Sequence, residues 1–286
     1  MQKGNQAETL RKIAGKNMNR SSLRTIAVSS GKGGVGKTNV VANLAFALAS
    51  RGFKTIVVDA DLGLNNIDIL LGLAPKFHIG HVLSGEKTVE EILVEGPGGI
   101  RLLPAGDGLQ ELTQIDSEKK MLLMDELDRI SAGYDYLLFD TGAGISTNVT
   151  YFCSAASEIL LVITPEPTSM TDAYSLIKIL NQKHAQKHFR VVINSVKSEF
   201  EAQGVFRHLS AVTDKFLRGV SIEYLGHLVY DSNVSKAVRN QKPFMQLYPY
   251  TKASLCMKEL ANKISSEKQI APENQPLFWR SALQIQ

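Results

Sequence analysis

From Thr25 onward, short runs of consecutive apolar residues alternate with segments whose apolar positions recur at helical spacing. Thr25-Ile26-Ala27-Val28-Ser29 is the first run and predicts a buried strand that ends in a glycine-rich turn. Val40, Val41, Leu44, Ala45 and Leu48 then share one helical face, and Gly52 sits where a C′ residue would end that helix. Residues 54–59, 100–103, 136–140, 159–164 and 190–194 predict further strands, and 117–131, 168–184 and 200–218 predict helices between them. Near-continuous Val/Ile/Leu runs suit parallel strands covered on both faces. The expected fold is α/β, a doubly wound, mostly parallel sheet flanked by helices, with right-handed crossovers.

The two ends break this rhythm. Residues 1–24 are polar and basic, residues 265–276 form a polar spacer with two prolines, and residues 277–286 turn apolar again around Trp279. The sequence thus divides into a leader (1–24), one α/β domain (25–266) and a linker with tail (267–286). With 286 residues, 44% hydrophobic and 21% charged, the chain can bury a large core and has a soluble, globular profile. No run approaches the roughly 18 apolar residues of a membrane-spanning helix. No apolar segment follows the first cations, as a secretory signal would require. Cys153 and Cys256 are too few for a disulfide framework or a four-cysteine zinc site, which points to a reducing cytoplasm.

Charge is concentrated in the leader. Lys3, Arg11, Lys12, Lys16, Arg20 and Arg24 oppose Glu8 alone, a net +5, whereas the whole chain carries +4 and the body therefore −1. A near-neutral body argues against a protein that coats DNA. The leader suits nucleic acid, anionic lipid or an acidic partner, or is a solvated arm.

Gly31-Lys32-Gly33-Gly34-Val35-Gly36-Lys37-Thr38 fits G-x-x-x-x-G-K-[ST] and lies between the first strand and the first helix, the context this motif requires. Glycines let backbone N–H groups curl round phosphate oxygens, and the helix N-terminus adds partial positive charge. Lys37 would reach the β- and γ-phosphates, and the Thr38 hydroxyl would ligate Mg²⁺. Asn39 continues the cradle into the helix. Asp59 ends the second strand and Asp140 ends the apolar run Leu137-Leu138-Phe139. A lone aspartate at a strand end reads as a helix N-cap; two such strands in one phosphate-loop chain favour a Mg²⁺ site.

The string GKGGVGKT resembles the deviant Walker A motif of the MinD/ParA/nitrogenase-iron-protein class of P-loop ATPases. The resemblance spans about residues 24–264. It implies ATP/ADP and Mg²⁺ as ligands and an ATP-dependent homodimer. In that class the early lysine, here Lys32, crosses to the partner's nucleotide like an arginine finger. Asp59-Ala60-Asp61-Leu62-Gly63-Leu64-Asn65-Asn66-Ile67-Asp68 resembles the class's switch I. By that match Asp61 activates the attacking water and Asp59 sits near the Mg²⁺ shell. Asp140-Thr141-Gly142-Ala143-Gly144 resembles Walker B and switch II, with Asp140 reaching Mg²⁺ through a water. Asn194 and Asp231 resemble base-side positions, Asn194 on the adenine edge; either is otherwise a turn residue.

The ends choose among branches of this class. Asn5-Gln6-Ala7-Glu8-Thr9-Leu10-Arg11 resembles the D-Q-A-x-x-L-R motif of the FlhG (FleN, YlxH) proteins, which control the number and placement of bacterial flagella. In that family the leader stimulates the signal-recognition-type GTPase FlhF. Gln6 would orient water, Leu10 would dock, and Arg11 would stabilise phosphate charge. Asn5 departs from the motif's aspartate. Residues 237–244 also look FlhG-like. Leu277, Phe278 and Trp279 suit a short interfacial helix of the kind MinD-type relatives use as a membrane anchor, or else pack on the body. The resemblance implies a cytoplasmic ATPase, peripheral at the inner face of the cell membrane when ATP-bound, with FlhF and flagellar C-ring proteins as partners. A DNA-partition ATPase of the ParA type and a division-site MinD are the alternatives. Cys153 reads as a buried structural thiol rather than a cluster ligand.

Overall fold

The computed structural model describes residues 23–61, 66–104 and 117–267. In chain order the elements begin with β1 (Arg24–Ser30), α1 (Lys37–Ala49), β2 (Thr55–Ala60), α2 (Ile67–Leu71), α3 (Ile79–Leu83), α4 (Val89–Ile92) and β3 (Val94–Glu95). Then come β4 (Arg101–Leu103), α5 (Ser117–Ser131), β5 (Tyr136–Ala143), α6 (Thr147–Ala155), β6 (Glu158–Ile163), α7 (Pro167–His184) and β7 (His188–Val196). The chain continues with α8 (Glu199–Phe216), β8 (Ser221–Val229), α9 (Ser232–Arg239), α10 (Phe244–Leu247) and α11 (Lys252–Ser266).

The strands form one eight-stranded sheet in the order β3-β4-β2-β5-β1-β6-β7-β8. Every pairing is parallel except β3 with β4. This is the doubly wound architecture the apolar runs predict. The chain leaves β1 for β2 on one side and later takes up β6 on the other, so a crevice opens at the carboxyl end of β1.

Alternate side chains of the buried strands enter two cores. Ala27, Ile56, Val58, Leu137 and Phe139 face one layer, with α6 and α7. Ile26, Val28, Val57 and Leu138 face the other, with α1 and α11. Removing a side chain as large as the fully buried Phe139 would cost about 3–5 kcal/mol. The chain therefore holds the carboxyl ends of these strands in fixed register.

The structure adjusts several expectations. Gly52 has a φ of 90° but follows the cap residue Ser50 by two positions, so it is C″ rather than C′. Arg24, counted above with the leader's charge, is the buried first residue of β1. Its Nε and Nη2 grip both oxygens of Glu158 at 2.5 and 2.8 Å, and its Nη1 donates to the Ile264 carbonyl. β3 and β8 were not anticipated as strands: β3 has only two residues, and β8 begins with alternating exposed and half-buried positions.

Candidate functional site

The segment 31–36 turns directly from β1 into α1. Gly36 is the N-cap with φ 88° and ψ 19°, a left-handed conformation, and no side chain caps the helix. By contrast, Ser146, Ser198, Asp231 and Thr251 cap α6, α8, α9 and α11 with their own side chains. An uncapped helix start beside a glycine-rich loop leaves backbone donors for an anion. Gly31 has a different burden from the one expected of it. A Cβ there would lie 2.2 Å from the Asp172 backbone, so its role is close packing against α7.

Lys37 is 8% exposed, and its Nζ donates to Asp140 Oδ1 at 2.5 Å. Thr38 hydrogen-bonds the same carboxylate. Asp59 and Asp140 are register partners on β2 and β5. Asp59 Oδ1 accepts the Asp61 N–H at 3.1 Å, and Oδ2 accepts the Asn66 N–H at 3.2 Å. Burial pushes the Asp59 carboxyl up to about 7; the neighbouring Asp140 charge adds to this, and the N–H groups of Asp61, Ile67 and Asn66 oppose it. Burial also pushes Asp140 up, opposed by Lys37 and Thr38.

Two adjacent carboxylates thus stand side by side, Asp140 held by an ammonium and a hydroxyl and Asp59 by backbone N–H groups. Among the described residues no three acidic, histidine or cysteine side chains form a protein-only metal cage. Two carboxylates and a hydroxyl fit Mg²⁺, which commonly takes its remaining ligands from phosphate and water. Asp61 lies against the predicted switch II, where its Oδ1 would stand 3.3 Å from a Cβ placed on Gly142. Residues 62–65, the middle of the predicted switch I, lie outside the described residues.

Lys32 does not point at its own loop. Its Nζ is paired with Glu166 and donates to Thr168 Oγ1 at 2.9 Å, at the start of α7. Asn194 and Asp231 come together in one cavity with Gly34, Val35 and Gly36. Asn194 Nδ2 donates to the Val35 carbonyl at 2.7 Å, and its Oδ1 accepts the Ser195 N–H at 2.9 Å. Asp231 caps α9, accepting the Asn233 N–H at 2.9 Å. Gly33 is exposed, Val35 is buried, and the Asn39 carbonyl accepts from Asn43 Nδ2 at 2.8 Å.

Glu166, Thr168 and Ser195 were not anticipated. Ser195, a non-glycine with φ 61°, marks a bulge between β7 and β8 that no local sequence pattern announces. Cys153 is fully buried, and burial pushes its thiol up to about 12, as suits a structural cysteine. Gln6, Leu10 and Arg11 of the leader, and Leu277, Phe278 and Trp279 of the tail, lie outside the described residues.

Residues 23–193 match the AAA domain family. The chain is 45% identical over 244 residues to the antiactivator FleN of Pseudomonas aeruginosa, covering 85% of this chain and 87% of FleN. The chain belongs to the FleN/YlxH family of MinD-type ATPases. The flagellum site-determining protein YlxH of Helicobacter pylori is 33% identical over 249 residues, 87% of this chain and 84% of YlxH. A chain of the Aquifex aeolicus MinC:MinD cell division protein complex is 30% identical with a TM-score of 0.70, covering 88% of this chain and 98% of that one. In this FleN/YlxH chain the phosphate loop, Asp59, Asp61 and Asp140 surround the carboxyl ends of three adjacent strands, β1, β5 and β2.

Proposed function

We propose that this chain is an ATP-driven switch that governs the number and placement of bacterial flagella. The observation that carries the reading is the pairing of Lys37 with Asp140 beside the uncapped α1, in a chain 45% identical to FleN. A buried ammonium held by a carboxylate on β5 is ready to be handed to a triphosphate. Lys37 then turns to the β- and γ-phosphates, and the backbone N–H groups of Gly31 to Thr38 enclose them. Thr38, Asp59 and Asp140 would hold Mg²⁺, which neutralises phosphate charge when bound. Asp61 orients the attacking water, while Asn194 and Asp231 line the base side.

Lys32 leaves Glu166 when a second chain offers its nucleotide, and each site of the homodimer is completed by its partner's Lys32. γ-Phosphate contacts exist only before cleavage, so hydrolysis releases the pair. While ATP holds the pair together, two copies of the tail, with Leu277, Phe278 and Trp279, bind an anionic membrane with an avidity that one short apolar segment lacks. Leader residues Gln6, Leu10 and Arg11 stimulate FlhF, and another face of the dimer meets C-ring proteins.

Gene replacement with Lys37→Ala tests the reading. Altered flagellar number with normal septum placement is expected. Normal flagellation with misplaced septa would move the chain to the division-site branch. Salt-sensitive, ATP-dependent binding of duplex DNA would move it to the partition branch.

A further inference from the structure

The cavity beside the phosphate loop has a volume of about 520 Å³ and opens along the carboxyl ends of β6, β7 and β8. Neighbouring strands lie about 4.8 Å apart, so β8 stands roughly 14 Å from β1, far enough for a phosphate on the loop to carry its base that way. Three features mark this wall. Thr164, 8% exposed at the end of β6, has a hydroxyl with no hydrogen-bond partner among the described residues. Ser195 holds its left-handed backbone at the end of β7. Tyr230, directly after β8, is 70% exposed.

Tyr230 is the one aromatic ring lining the cavity among the described residues. Its backbone is fixed on both sides: its N–H donates to the Val196 carbonyl at 2.8 Å, and the next residue caps α9. The ring is thus anchored at its root and bare along its length. The buried Thr164 hydroxyl, lining the same cavity, is an independent sign that a polar ligand completes this wall.

We propose that Tyr230 stacks on the adenine of bound ATP and closes the outer side of the base subsite, with the Thr164 hydroxyl hydrogen-bonding the nucleotide along the way. This rests on the ATPase reading above. A flat aromatic face attracts any base through stacking, whereas Asn194 already commits one amide N–H to the Val35 carbonyl and its Oδ1 to the Ser195 N–H. The ring therefore adds stacking affinity for the base to whatever the polar groups contribute.

Calorimetric titration of the full-length chain with ATP, and separately with inorganic tripolyphosphate, both with Mg²⁺, tests this in wild type, Tyr230→Ala and Tyr230→Phe. Stacking predicts roughly tenfold weaker ATP binding in Tyr230→Ala, near wild-type binding in Tyr230→Phe, and unchanged tripolyphosphate affinity in both. Equal ATP affinity in Tyr230→Ala overturns the proposal. So does a parallel loss of tripolyphosphate, which marks a disturbed loop, or a Tyr230→Phe variant as weak as Tyr230→Ala. A wild-type chain that binds no ATP would fail the ATPase reading itself, and this proposal with it.

Discussion

Lys32, at the head of the phosphate loop, is paired with Glu166 at the N-cap of α7, 134 residues further along the chain. Both side chains are partly exposed, so the pair is worth no more than about 1 kcal/mol. On the proposed switch, this weak pair is where Lys32 rests before it turns to the partner's nucleotide. Two such pairs break per dimer, so Glu166→Gln is expected to tighten the ATP-dependent dimer by up to about 30-fold, measured by sedimentation equilibrium. A weaker dimer would show that Glu166 serves the paired state instead.

The Lys37–Asp140 pair is different in kind, because both partners are buried. Lys37→Ala leaves a carboxylate without its ammonium, and breaking such a pair costs about 3–5 kcal/mol. Urea unfolding of the nucleotide-free chain is expected to show a loss of that order. Asp140→Asn added to Lys37→Ala should recover part of it. Equal stability of wild type and Lys37→Ala would contradict the buried pair.

Two glycines of the loop should respond differently to alanine. Gly31→Ala places a Cβ 2.2 Å from the α7 backbone, so overpacking should cost about 1–3 kcal/mol or more. Gly34 has φ 79° and no atom within 4 Å of its Cβ position, so Gly34→Ala should cost only the left-handed strain, about 1–2 kcal/mol. Urea midpoints of the two variants check the ranking.

Thiol labelling probes the core. Cys153 is fully buried with its thiol pushed up to about 12, so it should stay unlabelled in the native chain. Cys256, half-buried, should react slowly, and both should react once urea unfolds the chain. Rapid native labelling of Cys153 would mean that α6 opens far more readily than its packing implies.

Much of this was legible in the sequence, for identifiable reasons. Strands buried on both faces, such as Ile56-Val57-Val58, carry unbroken apolar runs. The phosphate loop is legible because glycine and lysine spacing is itself the geometry. β8 was not, because Ser221, Glu223 and the tight Gly226 interrupt its run; a Cβ on Gly226 would stand 2.7 Å from Leu260. Glu166 as the holder of Lys32 was not, because a contact across the sheet leaves no local pattern. Asn194 was placed at its strand end, but its bond to Val35 depends on the Ser195 bulge, which only the folded backbone shows.

The coupling of chain pairing to nucleotide state through Lys32 is tested most directly by mass determination on a sizing column with saturating ADP or ATP. Asp61→Ala, used to hold ATP uncleaved, is compared with the same chain carrying Lys32→Ala. A dimer in ATP, a monomer in ADP, and a monomer in both once Lys32 is removed is the predicted result. An ATP-loaded Asp61→Ala chain that runs as a monomer, or a dimer indifferent to Lys32, would contradict it.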